Sequence, residues 1–420
     1  MFGINRRNFT LCVSSAALVA GLGAVAATAE NIIIGVPAAQ SGPVGVADHQ
    51  DWTNGVNLAI AEINANGGVL GRQLEAKIID LDMMSPEGNV AGFQALIEGG
   101  SHAIASAFTI IPPPAMDTAA PSGIPYLHGN TSTLNVDLFK GDPEKYKNVF
   151  QVDVPESYYG SGFVKFLQDM QSSGQWEPKN NKIHIVQGQI SYTQLISKAT
   201  QEAAAATNGE WEIAAVTDIQ FPVQDWAPVI RALQDADAAA IMIDHWVAAE
   251  LAAFAQQYAY DPVPDSLVYL QYGPSQPEFL DLAQGAGEGM VWGTVYGVYA
   301  DEMGTAFREK YRATYPGTMG MVYTGGGYDT VNILAKAWET AGDPSDFAAV
   351  GDAIRAIEYR GVNGFYRFDP ETNSGISYPN MTDDPEAGQA HLFFQVQNNE
   401  HRIIAPSPYA EVDFVAPPWW

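Results

Sequence analysis

Thiols and positive charge are both scarce in this 420-residue sequence, which has one cysteine, Cys12, and 20 basic against 48 acidic residues. One cysteine cannot form an internal disulfide framework or ligate an iron–sulfur cluster. If the leader that carries Cys12 is removed, a cysteine nucleophile is excluded as well. The formal net charge of −28 repels nucleic-acid phosphates and anionic headgroups, so neither nucleic-acid binding nor electrostatic membrane attachment is expected. The plain meaning of the acidity is solubility. Beyond residue 30 the chain never runs through the roughly 18 consecutive apolar residues a membrane helix needs, so direct membrane insertion of the mature chain is not expected. Even so, 47% of residues are hydrophobic, enough for a large buried core.

Catalytic signatures are missing too. There is no G-x-S-x-G elbow, no P-loop and no H-E-x-x-H. The seven histidines, at 49, 102, 128, 184, 245, 391 and 401, do not pair at metal-ligand spacing. Gly325-Gly326-Gly327 lacks dinucleotide spacing and a preceding strand. It reads as a turn or a close helix approach rather than a phosphate cradle. Asp82, Asp244 and Asp329 are isolated acids at element ends. No catalytic residue, metal or cofactor is expected.

The N-terminus reads as an address. Asn5-Arg6-Arg7-Asn8-Phe9 precedes an apolar stretch from Leu11 to Val25 and the small residues Ala27-Thr28-Ala29. This is an export signal with a twin-arginine, Tat-like start. Cleavage after Ala29 removes two arginines and no acids, taking the net charge from −28 to −30. Residues 1–29 are thus assigned as signal peptide and the mature chain as periplasmic.

Beyond the signal, strand and helix alternate. Ile32 to Val36 is a β-branched run typical of a buried parallel strand. The helix Asn54 to Asn64 follows, closed by Asn66-Gly67-Gly68. Leu74 to Asp82, His102 to Ser106 and Ile124 to Leu127 are the next strands, with a helix from Asn89 to Glu98. After Val149 to Val152 the same grammar restarts, with strands at Lys182–Gln187, Trp211–Val216, Ala239–Ile243 and Leu267–Gln271 separated by helices. Two α/β lobes with parallel sheets follow. From Asp301 to Ile357 the pattern is helical. Strands return at Gly364 to Asp369 and Leu392 to Val396.

In open α/β sheets a ligand binds beyond the carboxyl ends of the strands. The polar and aromatic residues there include Asp48, Thr109, Thr131 and Ser132 from the first lobe, and Tyr192, Asp244, Trp246 and Tyr272 from the second. Hydroxyls at helix starts suit a carboxylate or amide oxygen. Aromatic rings suit an apolar tail or a cation.

Ile33-Ile34-Gly35, Ser41-Gly42-Pro43 and above all Ile63-Asn64-Ala65-Asn66-Gly67-Gly68-Val69-Leu70-Gly71-Arg72-Gln73-Leu74-Glu75 resemble the N-terminal lobe of type I periplasmic solute-binding proteins of ABC importers. Within these they are most similar to the branched-chain amino-acid and amide-binding, Leu/Ile/Val-binding-like group. The resemblance implies two doubly wound lobes joined by three chain crossings. Lobe 1 would comprise 30–150 plus 298–357, lobe 2 would comprise 151–297 plus 358–412, and 413–420 would form a tail. It implies capture of an amino acid or amide-like solute by hinge closure and delivery to permease subunits. Thr109 stands where the family grips a ligand carboxylate, Thr131 and Ser132 lie in the next hydroxyl loop, and Tyr192 and Trp246 fall on family aromatics. Two departures stand out. Ile110-Ile111-Pro112-Pro113-Pro114 replaces a hydroxyl-rich run, and prolines lack N–H donors. No acid lies near Gln271-Tyr272-Gly273 for an α-ammonium group, a task left to Asp48 or Asp244. The alternatives on the same residues are a Tat-exported enzyme and a ligand-sensing subunit.

Overall fold

The computed structural model describes residues 30–317 and 319–420; the assigned signal peptide lies outside the described residues. The Ile32–Ala38 run forms β1, with Ile32, Ile34 and Val36 wholly buried. Helix α1 (Val46–Ala65) leads to β2 (Leu74–Asp80), α2 (Pro86–Glu98), β3 (Ala103–Ser106), α3 (Pro112–Ala119), β4 (Tyr126–His128), α4 (Thr133–Gly141) and β5 (Val149–Gln151). The second unit runs α5 (Ser157–Ser172), β6 (Lys182–Gly188), α6 (Ser191–Ala206), β7 (Glu212–Ile219), α7 (Ala227–Ala236), β8 (Ala240–Asp244), α8 (Ala248–Tyr258), β9 (Leu267–Gln271), α9 (Phe279–Ala283) and β10 (Val291–Thr294). Helices α10 (Glu302–Thr314), α11 (Tyr323–Ala341) and α12 (Phe347–Arg355) follow. The short strands β11 (Tyr359–Gly361), β12 (Gly364–Tyr366), β13 (Phe368–Asp369), β14 (Ser374–Gly375), β15 (Ser377–Tyr378) and β16 (Gln389–Ala390) lead to β17 (Leu392–Gln397) and β18 (Glu400–Ala405).

Two seven-stranded sheets result. Their orders are β13-β14-β5-β4-β3-β1-β2 and β18-β17-β10-β9-β8-β6-β7. Each is parallel from β2 to β14 or from β7 to β10, with antiparallel pairing only at the far edge. The fold class expected from the sequence is thus observed. The chain passes between sheets after β5, after β10 and after β14. The third passage differs from the expected boundary at 358, because Ser374 pairs with Gln151 and Phe368 with Gly375 on the first sheet. The three passages are laced together. Gln389 Nε2 donates to the Val152 carbonyl at 2.8 Å, and Ala390 N–H to the Tyr299 hydroxyl at 2.7 Å.

The glycine triplet lies inside α11, where that helix meets α1. A Cβ on Gly327 would sit 2.1 Å from the Trp52 carbonyl oxygen, and one on Gly55 2.1 Å from that of Thr324. The triplet therefore permits a close helix approach. Asp329, one turn on, accepts from the Val362 and Asn363 N–H groups at 2.9 and 2.8 Å and from the Tyr366 hydroxyl, tying the β11–β12 hairpin to α11. The tail is docked on the second lobe, where the Trp419 and Trp420 indoles both donate to the Ser266 carbonyl, at 2.8 and 3.0 Å.

Candidate functional site

A cavity of about 280 Å³ lies between the lobes, at the carboxyl ends of both parallel sheets. The first lobe supplies Phe108 and Thr109 after β3, Asn130 to Ser132 after β4, Asp48 on the first turn of α1, and Tyr323 at the start of α11. The second supplies Tyr159 from α5, Tyr192 from α6, Phe221 after β7, Trp246 after β8 and Tyr272 after β9; Glu156 sits at the first passage between lobes. Seven of the named residues were singled out from sequence: Asp48, Thr109, Thr131, Ser132, Tyr192, Trp246 and Tyr272. Asp244 was not brought to the wall. It is the last residue of β8 and wholly buried, and neither carboxyl oxygen has a partner among the described residues. Burial, with Glu156 nearby, holds its carboxyl well above the usual range.

Polar groups on the wall are largely spoken for by the protein. The Thr109 N–H donates to Asn130 Oδ1 at 3.0 Å, whereas its hydroxyl is buried without a partner among the described residues. Thr131, in the left-handed region at φ 46°, donates its N–H and hydroxyl to Asp153. Ser132 caps α4 by accepting from the Asn135 N–H. Thr133 donates its N–H and hydroxyl to Glu156 Oε2, the latter at 2.7 Å. Tyr192 accepts from Gln271 Nε2 at 2.9 Å.

Asp48 bridges the cleft. Its Oδ1 accepts from the Tyr272 hydroxyl at 2.9 Å and its Oδ2 from Gln276 Nε2 at 2.8 Å, so α1 of one lobe is held by the segment after β9 of the other. Tyr272 reaches it from a left-handed backbone, φ 49°, a conformation that costs about 1–3 kcal/mol. Burial raises the Asp48 carboxyl to about 7 despite these two bonds. Burial likewise raises Asp51, which accepts from Tyr311 and the Gly320 N–H, to about 7, and Asp153 to about 8. Glu156 is raised by the same cause.

The rest of the wall is apolar, with aromatic rings beside aliphatic residues such as Ile110, Leu134 and Leu195. Phe221 and Trp246 lie 5.3 Å apart between ring centroids, and Phe108 and Tyr323 5.4 Å. No Lys, Arg or His is among the lining residues. The three prolines seen in the sequence form the first turn of α3, which therefore offers no N–H at its first three positions. Among the described residues, no cluster of three or more His, Cys, Asp or Glu could hold a metal, and no helix is long and apolar enough to cross a membrane.

Residues 31–382 match the model of a periplasmic binding protein family. The chain belongs to that family. A solved structure from Silicibacter pomeroyi, described as a branched-chain amino acid ABC transporter, is 34% identical over 93% of this chain and 100% of its own, with a TM-score of 0.87. LivJ from Streptococcus pneumoniae, a branched-chain amino acid transporter substrate-binding protein solved with isoleucine, shares the fold at 19% identity (TM-score 0.71, 90% and 100% covered). A solute-binding protein from R. palustris, solved with benzoate, does so at 15% identity (TM-score 0.68, 93% and 98% covered). A search of curated proteins returned no match. The sequence-based assignment to type I periplasmic binding proteins of the branched-chain amino-acid group is thereby established.

The residues missed from sequence are Glu156, Tyr159, Phe108, Phe221 and Tyr323. Phe108 and Phe221 obey the strand-end rule and could have been included on it, since they follow β3 and β7 directly. Tyr323 and Glu156 reach the cleft from a late helix and a passage between lobes, where no local pattern points.

Proposed function

We propose that this chain is the extracytoplasmic receptor of an ABC importer, which takes up a small solute between its lobes, closes on it and presents it to the permease. The observation that carries this reading is the cavity itself, with walls drawn from both lobes and the Asp48–Tyr272–Gln276 contact pinning the lobes together at its edge. A ligand touching both walls stabilises the closed arrangement over the open one by its differential contacts. The export signal expected at residues 1–29 places the mature protein in the periplasm, where such a receptor works. At about 280 Å³ the cavity sits at the small end of ligand pockets, which run roughly 300–1,000 Å³. A small solute is therefore expected rather than a peptide.

The test is native mass spectrometry of protein purified without refolding, paired with small-angle scattering before and after dialysis under mild denaturant. A bound small molecule, and an increase in radius of gyration when it is removed, are expected. A protein that carries no small molecule, and whose radius does not respond to any compound of a broad amino-acid, amide and amine library, would refute the receptor reading.

A further inference from the structure

The ionisable side chains around the cleft are one-sided. Asp48 and Glu156 line it, Asp153 and Asp244 lie behind them, and no cationic side chain is on the wall. Around Asp48 the facing groups are Tyr272, Gln276, Asp51 and Glu278, again without a cation. That one-sidedness bears directly on what the cleft accepts, because a desolvated ligand carboxylate would be buried there with no cationic side chain to pair with.

The backbone donors after β3 and β4 that would grip a ligand carboxylate are also occupied or absent. The first three residues of α3 are prolines. The N–H groups of Thr109, Thr131, Ser132 and Thr133 each donate to a side-chain oxygen of the protein: Asn130, Asp153, Gln151 and Glu156 respectively. Thr133 is the first residue of α4, so Glu156 occupies the anion position at that helix start. The protein has placed its own carboxylate where a ligand's would go.

Glu156 also has capacity left. Its Oε2 takes both bonds from Thr133, and its Oε1 receives none from any other described residue. The Thr109 hydroxyl is a second, independent sign of a missing partner: it is buried on the cavity wall and bonds to no described residue. Around these two polar points stand the rings of Tyr159, Tyr192, Phe221, Trp246 and Tyr323, faces that attract a cation and pack an apolar body.

Resting on the receptor reading, we infer that the ligand is an apolar amine: a hydrocarbon or aromatic body with one positively charged nitrogen, seated on Glu156, and no free carboxylate. This differs in charge from the isoleucine and the benzoate held by the two distant relatives.

Two matched probe sets test it by isothermal titration and thermal shift. One is 3-methylbutylamine, leucine and 4-methylpentanoate; the other is phenethylamine, phenylalanine and 3-phenylpropanoate. In at least one set the amine is expected to bind at least tenfold more tightly than the zwitterion, with no shift from the acid. Glu156→Gln keeps an oxygen for Thr133 but loses the charge. It is expected to weaken the amine at least tenfold, the fold-change of a lost charge-assisted hydrogen bond. The wild-type series stands even if that variant folds poorly. A zwitterion or acid that binds as tightly as its amine, or six probes that all fail, overturns the amine assignment. A carboxylate-bearing compound found bound in the purified protein also overturns it, while leaving the receptor reading intact.

Discussion

Closing the cleft should take up a proton, and Asp48 is the group through which this is most directly measured. In the closed arrangement Asp48 is buried between α1 and the segment after β9, and its carboxyl is held at about 7. Opened to water it should return toward its ordinary 3.8. Three pH units at about 1.4 kcal/mol each couple closure to protonation by about 4 kcal/mol. The sign follows from the raised value. The contribution is fully present below about pH 4, where the carboxyl is protonated in both forms, and it is lost progressively as pH rises from there to about 7, above which the carboxyl is ionised in both. The assay is a dye pair on two engineered cysteines, one per lobe, in a chain whose sole native cysteine is Cys12. The closed fraction of the ligand-free protein is followed from pH 5 to 8.5 and is expected to fall as pH rises toward about 7 and to flatten above it. Asp48→Asn cannot titrate. It loses one bond to Gln276, worth about 1 kcal/mol at every pH, and it removes about one proton from the slope, leaving the contributions of Asp51 and Glu156. Superimposable pH curves for wild type and Asp48→Asn would refute the reasoning.

Two further outcomes concern the frame that holds the cleft walls. Gly327→Ala forces a methyl to 2.1 Å from the Trp52 carbonyl. After allowing for alanine's better helix propensity it should cost about 1–2 kcal/mol, or roughly 1–3 °C in Tm for a chain of this length. Gly351→Ala in α12, where the nearest atom outside the helix backbone is 3.7 Å away on the Arg355 side chain, should leave Tm unchanged or slightly raised. Equal Tm values in thermal scans would contradict this account of the α1–α11 contact. Trp419→Ala removes an indole that packs edge-on to Tyr258 at 5.5 Å and donates to Ser266. A loss of about 2 kcal/mol in urea titrations is expected, with little change in ligand affinity. An unchanged urea midpoint would mean the tail is ornamental.

Much of the fold was legible because burial on both faces of a parallel sheet writes itself as apolar runs. Leu267–Gln271 and Lys182–Gln187 fall within one residue of their observed bounds. Helix α1 begins eight residues earlier than its periodicity suggests, at Val46 rather than Asn54. Its first turns carry Asp48, His49 and Asp51, which look like a solvated loop but are buried by tertiary partners. Strand β14 was missed as part of the first sheet because two residues held by one pairing to β5 leave no pattern. At the site, strand-end position located the right Cα atoms but not always the side-chain direction. Trp246 reaches the cavity, whereas Asp244, two residues before it, stays beneath the wall. The proline run was read correctly as a loss of donors, although the helix it opens was not foreseen.

The lacing of Gln389 to Val152 and of Ala390 to Tyr299 has a mechanical result. Neighbouring ribbons that share hydrogen bonds cannot twist independently, so the two halves are confined to rocking about one shared line. A protease nick in any single ribbon would still leave the other two as tethers, and the halves would stay in register. Neither half can be lifted out as one uninterrupted stretch of sequence, so dissecting this protein would require splicing segments rather than trimming an end.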